Sequence, residues 1–124
     1  MIAGNGVDIV DLKRFRIMDA HRLGRLAKRI LTDCEFDDFT TTSLHKQHLC
    51  LAKYWAVKEA VAKAFGTGIR GNTVWKNIQM RKTELGQPKI YLQPALHTPG
   101  RFCHISISHD GDYVIAYAVL EHVY

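Results

Sequence analysis

Polar and apolar positions alternate at the start of the chain. Within residues 1–10, Val7 and Ile9 fall on one face and Asp8 and Val10 on the other, the two-residue period of a strand. Asp8 is read as lying on the outer face, beside Gly4 and Gly6. Over residues 11–31 the period lengthens to that of a helix. Leu12, Phe15, Leu23, Leu26, Ile30 and Leu31 form an apolar stripe, and Lys13, Arg14, Arg22, Arg25, Lys28 and Arg29 fill the remainder. Met18-Asp19-Ala20 is a candidate break in it. Residues 32–43 are polar and acidic, and their last four residues offer N-caps for the next element. Residues 44–65 predict the strongest helix, rich in Ala, Leu and Lys, without Gly or Pro, and stopped by Gly66. It is apolar almost all round, as a buried or subunit-shared helix would be. Residues 78–83 and 89–92 read as strands joined by a turn, and residues 102–109 and 113–120 as strands joined at Asp110-Gly111. In residues 102–109, Ile105 and Ile107 point one way and His104, Ser106 and Ser108 the other. A strand, helices, then four strands predict an α+β fold with a mainly antiparallel sheet packed on a long central helix.

The chain has 124 residues and no repeat or linker, so a single domain over 1–124 is expected. Hydrophobic residues at 47% support a small core, and 23% charged residues argue against disorder. A formal net charge of +5 favours an acidic partner: phosphate, nucleic acid, anionic lipid or acidic protein. Cys34, Cys50 and Cys103 are odd in number and widely spaced, which argues against a zinc site or disulfide framework and for reduced thiols in the cytoplasm. Neither a secretory pattern nor an apolar run of about 20 residues is found, so no membrane span is expected.

At about 100° per residue, Glu59 and Lys63 lie one turn apart on the long helix, and Lys53 falls roughly 80° beyond Lys63. Lys58 projects elsewhere. Ala52, Ala56 and Ala60 between these charges leave room for a backbone or a ligand. A Glu–Lys surface pair accounts for Glu59 and Lys63 as simply. Asp8 supplies a second carboxylate in a strand that otherwise disfavours Asp. It is read either as a solvated strand end or as a partner of Glu59 in holding Mg²⁺ between two carboxylates and phosphate oxygens. Gly66-Thr67-Gly68 is a helix cap or a place where a nucleotide nears the backbone. The polar face of residues 104–109 is a solvated sheet face or a rim that meets phosphate. Ser108, His109 and Asp110 are chain neighbours and cannot converge as a triad.

Three blocks resemble the holo-acyl-carrier-protein synthase family, the short bacterial type of phosphopantetheinyl transferase. They are Gly6-Val7-Asp8-Ile9-Val10 followed by Arg14-Phe15; Leu51-Ala52 through Lys58-Glu59-Ala60 and Lys63-Ala64-Phe65-Gly66-Thr67-Gly68-Ile69; and His104-Ile105-Ser106-Ile107-Ser108-His109. Arg29-Ile30-Leu31-Thr32 and Gly86-Gln87-Pro88 also fit. The resemblance implies the 4'-phosphopantetheinyl transferase fold and a homotrimer with sites at subunit interfaces. The implied reaction is transfer of the phosphopantetheine arm of coenzyme A to a serine of acyl carrier protein, in support of fatty acid biosynthesis. By the same likeness Asp8 and Glu59 hold Mg²⁺, and Lys63 meets the coenzyme A pyrophosphate. Gly66, Gln87 and Pro88 lie near the nucleotide, and His109 reaches it from a neighbouring subunit. Arg14, Arg22 and Arg25 dock the acidic carrier. Two positions depart from the family. Tyr54 stands where relatives carry Arg, and Asp110 where they carry Ser or Thr, both near the 3'-phosphate of the donor. Lys46 or Lys53 is the expected substitute cation. Nucleic-acid binding competes as a function for a small basic α+β domain, but the exposed strand offers Ser and His rather than stacking aromatics. A non-catalytic trimer that only holds coenzyme A is the other rival.

Overall fold

The structure, a computed structural model, describes residues 1–123. Strand β1 (Ile2–Asp11) is followed by three short helices, α1 (Lys13–Arg16), α2 (Ala20–Ile30) and α3 (Asp33–Thr41). The long helix α4 (Gln47–Ala64) comes next, then strands β2 (Ile78–Lys82), β3 (Pro88–Leu92), β4 (Arg101–Asp110) and β5 (Tyr113–His122). All strand pairing is antiparallel, in two sheets: β1-β5-β4 and the ribbon β2-β3. The fold is α+β, as the alternation of periods predicts.

Local chemistry sets the boundaries. The break expected near residue 19 is real: Asp19 caps α2, its carboxylate accepting from the Arg22 amide at 2.8 Å, a contact worth about 1 kcal/mol. Helix α4 ends where Gly66, at φ +82, donates its amide to the Lys63 carbonyl. That left-handed position favours glycine. Asp110 and Tyr113 close the β4-β5 register around Gly111 at φ +57.

Residues 32–43 need correcting. They hold helix α3, opened by a capping box in which Thr32 and Glu35 satisfy each other's backbone amides. The Thr40, Thr41 and Thr42 hydroxyls bond back to the Asp37 and Asp38 carbonyls instead of capping α4. Residues 44–46 form a 3-10 turn before α4.

Helix α4 packs across the inner face of β1 and β5. Its Ala56, Ala60, Val61 and Ala64 are buried, as are Val10, Val114, Ala116, Ala118 and Leu120 on the strands. Small residues on both surfaces permit a close approach, and two glycines extend it. A methyl group at Gly4 would overlap the Ala64 carbonyl oxygen, and one at Gly6 the Ala60 carbonyl oxygen. Asp8 shares this inner face with Gly4, Gly6 and Val10, so its expected place on the outer face is wrong. The helix seats against the face where glycine leaves room, and the apolar alternate face, with Val7 at 48% and Ile9 at 63% exposure, is left outside.

Candidate functional site

Because β1 lies so tightly on α4, Asp8 comes to rest beside Glu59 and Lys63. Lys63 Nζ donates to Asp8 Oδ1 at 3.1 Å and to the Val7 carbonyl at 2.9 Å. The other Asp8 oxygen, Oδ2, is buried and has no hydrogen-bond partner among the described residues. A buried carboxylate oxygen left without a donor is costly, and marks a place for a positive group. Burial pushes the Glu59 carboxyl above its ordinary value, and the Asp8 charge pushes it the same way; Lys63 and Arg14 pull it back. Two carboxylates that repel each other, one with an orphan oxygen, fit a divalent cation that neutralises both. Glu59 and Lys63, one turn apart, are therefore not a simple surface pair, because Lys63 reaches across to Asp8.

A second centre is a cavity of about 540 Å³ between α4, the β2-β3 ribbon and β4. Lys46, Lys53, Gln87, Pro88 and His109 all line it, together with Gly86. Lys63 and Gly66 are not among its lining residues, and neither is Asp110. Sequence reasoning missed two of its charged groups, Lys82 at the end of β2 and Asp38 on α3. Lys82 could have been found by reading the ribbon strand as a cavity wall; Asp38 lay in the unread helix. Lys53 is held below its ordinary value by burial and then by the neighbouring Lys82 charge. Asp38 is occupied: it accepts the Tyr54 hydroxyl at 2.7 Å, and the Cys50 thiol faces it at 3.9 Å. Burial pushes the Tyr54 phenol up, and Cys50 is pushed up to about 11. Tyr54 thus brings no cation to the cavity and quiets an acid instead. The positive wall is Lys46, Lys53 and Lys82.

Lys58, on the far side of α4 from Lys53 and Lys63, is fully buried. Its Nζ donates to Glu35 Oε1 at 2.6 Å, to the Ile30 carbonyl at 2.8 Å and to the Trp75 carbonyl at 2.9 Å. All three of its protons are used. Breaking such a buried pair by removing one partner costs roughly 3–5 kcal/mol.

Arg14, Arg22 and Arg25 are exposed on α1 and α2. The Arg14 guanidinium lies 5.6 Å from the Trp55 ring centre, one helical turn before Glu59. Trp55 in turn meets Trp75 at 4.7 Å and Phe15 at 6.0 Å. Arg16 bonds Asp112 at 2.6 Å, which fastens α1 to the β4-β5 turn and holds the Asp112 carboxyl below its usual range. The basic surface and the acidic centre are therefore contiguous. Across the sheet, His104 meets Glu121 at 2.9 Å on the solvated face. Among the described residues no helix is long and apolar enough to cross a membrane.

Comparison with known proteins places the chain in a family. The profile of the 4'-phosphopantetheinyl transferase superfamily matches residues 4–118. A holo-acyl-carrier-protein synthase of Bacillus subtilis (strain 168) is 40% identical over 121 residues, covering 98% of this chain and 97% of the relative. The crystal structure of a holo-acyl-carrier-protein synthase from Neisseria meningitidis superimposes with a TM-score of 0.87 at 39% identity, over 98% of this chain and 99% of that one. A Bacillus anthracis holo-acyl-carrier-protein synthase in complex with CoA (3',5'-ADP) superimposes at 0.85, with 31% identity and 99% of both chains covered. By fold, by sequence and by the span matched, this chain belongs to the 4'-phosphopantetheinyl transferase superfamily.

Proposed function

We propose that this protein is a holo-acyl-carrier-protein synthase: one domain over 1–124 that moves 4'-phosphopantetheine from coenzyme A to a serine of an apo acyl carrier protein and releases 3',5'-ADP. The observation that carries the reading is the juxtaposition of Asp8, with its orphan Oδ2, Glu59 and Lys63 at the β1-α4 contact. Asp8 and Glu59 would hold Mg²⁺ there, which when bound offsets the charge of the donor pyrophosphate. Lys63, half exposed, turns its ammonium to the same phosphates and stabilises charge that grows on the leaving oxygen. The serine Oγ attacks the β-phosphorus; the Oγ–P bond forms and the bond from that phosphorus to the oxygen of 3',5'-ADP breaks. Glu59, directly or through a water, takes the serine proton. Chemistry of this kind is mostly positioning and neutralisation, and the remaining residues supply that.

Lys46, Lys53 and Lys82 with His109, Gln87 and Pro88 form the second half of the donor site, their ammoniums replacing the arginine absent at Tyr54. Gly66, at the end of α4, borders the first half. Asp8, Glu59 and Lys63 do not line that cavity, and in this reading the acidic centre of one subunit and the lysine cavity of another make up a complete site. The outer sheet face supports a homotrimer of this kind: Val7, Ile9, Ile115 and Tyr117 are apolar and at least 40% exposed. Arg14, Arg22 and Arg25 receive the acidic carrier and deliver its serine next to Glu59. Free thiols at Cys34, Cys50 and Cys103 suit the reducing cytoplasm.

Incubation with coenzyme A, Mg²⁺ and an apo carrier, followed by mass spectrometry, tests the reading. The carrier should gain one phosphopantetheine, and an unmodified carrier after prolonged incubation rejects it.

A further inference from the structure

The Lys58–Glu35 pair does not line the lysine cavity, yet it holds the end of α2, one of the two helices that present the basic surface. Its acceptors come from three places. The Ile30 carbonyl is the last of α2, where the helix dipole is negative and a cation is favoured. Glu35 belongs to the capping box that opens α3. The Trp75 carbonyl belongs to the 3-10 turn before β2. Glu35 extends the tie, since its Oε1 also accepts from the Thr32 amide at 2.8 Å and its Oε2 accepts from the Met80 amide at 2.7 Å.

Two chains of contact run from this point to the carrier side. One passes from Ile30 along α2 to Arg22 and Arg25. The other passes from Trp75 through its ring contact with Trp55 to the Arg14 guanidinium. Lys58 is also the residue immediately before Glu59 on a helix with no glycine or proline, so its side chain fixes the rotation of α4 at the reacting group. A hydrophobic pair would fill the same volume; an ammonium with three directed donors fixes three elements at defined places.

Resting on the functional reading above, we infer that Lys58 and Glu35 are positioning residues for the carrier protein: they register the α1-α2 docking surface against Glu59. Neither touches donor, carrier or reacting atoms. A purely structural pair, when replaced, would lower thermal stability while folded molecules kept their kinetic constants. A registering pair also separates the two substrates once the Met80 amide, the pair's tie to the lysine cavity, keeps its acceptor, because α2 does not line that cavity.

The test compares wild type, Glu35→Asp and the double variant Lys58→Met/Glu35→Gln. The double variant leaves no charge buried alone, and the glutamine's single carbonyl oxygen keeps an acceptor for the Met80 amide. Folded fraction is set by circular dichroism, coenzyme A affinity by calorimetry with Mg²⁺, and KM and kcat for apo carrier by mass spectrometry. In the double variant KM for carrier should rise about tenfold or more, as a misplacement well below an ångström produces, while coenzyme A affinity stays within twofold. Glu35→Asp, which keeps the charge and both acceptor oxygens one methylene short and covers the case of a double variant that does not fold, should shift the same way by less. A folded variant with wild-type KM for carrier overturns the inference, and so does a parallel loss of coenzyme A affinity. Failure of wild type to modify any carrier overturns the functional reading and this inference with it. Wild-type transfer with unmoved KM in the variants overturns this inference alone.

Discussion

Gly6→Ala is the sharpest probe of how the fold builds the acidic centre. The added carbon would overlap the Ala60 carbonyl oxygen and stand 2.7 Å from the Ala64 nitrogen and 2.8 Å from the Lys63 Cβ. Relaxed contacts lie at about 3.5–4.0 Å, so β1 has to retreat from α4 by roughly 1 Å. Neither the helix backbone nor a Cβ can swing aside as a side-chain tip can. Overpacking of this kind costs about 1–3 kcal/mol, which lowers the Tm of a domain this size by roughly 5–15 °C. Asp8 lies two residues further along the same strand face and moves with it. A displacement near 1 Å at a catalytic group can cost about 100-fold in rate. Transfer of phosphopantetheine should therefore fall about that much at 20 °C, where the variant is folded, and the Glu59 carboxyl should return toward its ordinary value. Gly24→Ala is the control: its methyl group meets nothing within 4 Å, and Ala in a helix interior gains about 0.5–1 kcal/mol over Gly. Wild-type Tm and turnover in Gly6→Ala would refute the account of this interface.

Glu59→Gln separates stability from catalysis. The folded carboxyl titrates above its unfolded value of 4.5, so ionised Glu59 opposes folding as pH rises from 4.5 through the folded value. Without divalent cation, the variant should melt no lower than wild type at pH 7, with any gap closing below pH 4.5, while transfer falls about 10²–10⁴-fold; a lower melting temperature at pH 7 would contradict the sign. Lys53→Met and Lys82→Met remove like charges that repel across the cavity. Each should weaken coenzyme A binding in calorimetry but leave 3'-dephospho-coenzyme A unaffected, and equal losses for both donors would move the phosphate away from these lysines. Arg14→Glu should raise KM for carrier and flatten its salt dependence, measured as initial rates across ionic strength.

What the sequence disclosed and what it hid follow from the range of the interactions involved. The β4-β5 hairpin and the α2 cap are local: Asp110-Gly111 and Asp19 act on their own neighbours, so pattern and turn chemistry suffice. Helix α3 was legible in principle, because Thr32 and Glu35 have capping-box spacing, yet its composition is that of a loop, with four acidic residues among Thr and Cys. Glu35 turns inward because Lys58, 23 residues away, meets it, and that pairing leaves no local trace. Asp8 was paired with Glu59 but set on the wrong side of its strand. Alternation marks the larger apolar side chains as buried, whereas here Gly4 and Gly6 mark the packed face by what they lack. Lys46, Lys53, Gln87, Pro88 and His109 were drawn from distant segments by resemblance, and the cavity gathers them. Lys82 escaped because its role depends on a ribbon folding over α3 and α4.

That ribbon is a sheet of its own, its two strands paired with each other and the Met80 amide held by Glu35 Oε2. A two-stranded ribbon is marginal by itself; Ile78 and Met80 root one end in the core, while Lys82 and the turn at Gly86 project freely. The mouth of the lysine cavity can therefore breathe without disturbing the strand that carries Asp8. Amide exchange along β2 and β3 should be fast in the empty protein and slow when donor bridges the ribbon to α4, so part of the binding enthalpy is spent on quieting that motion.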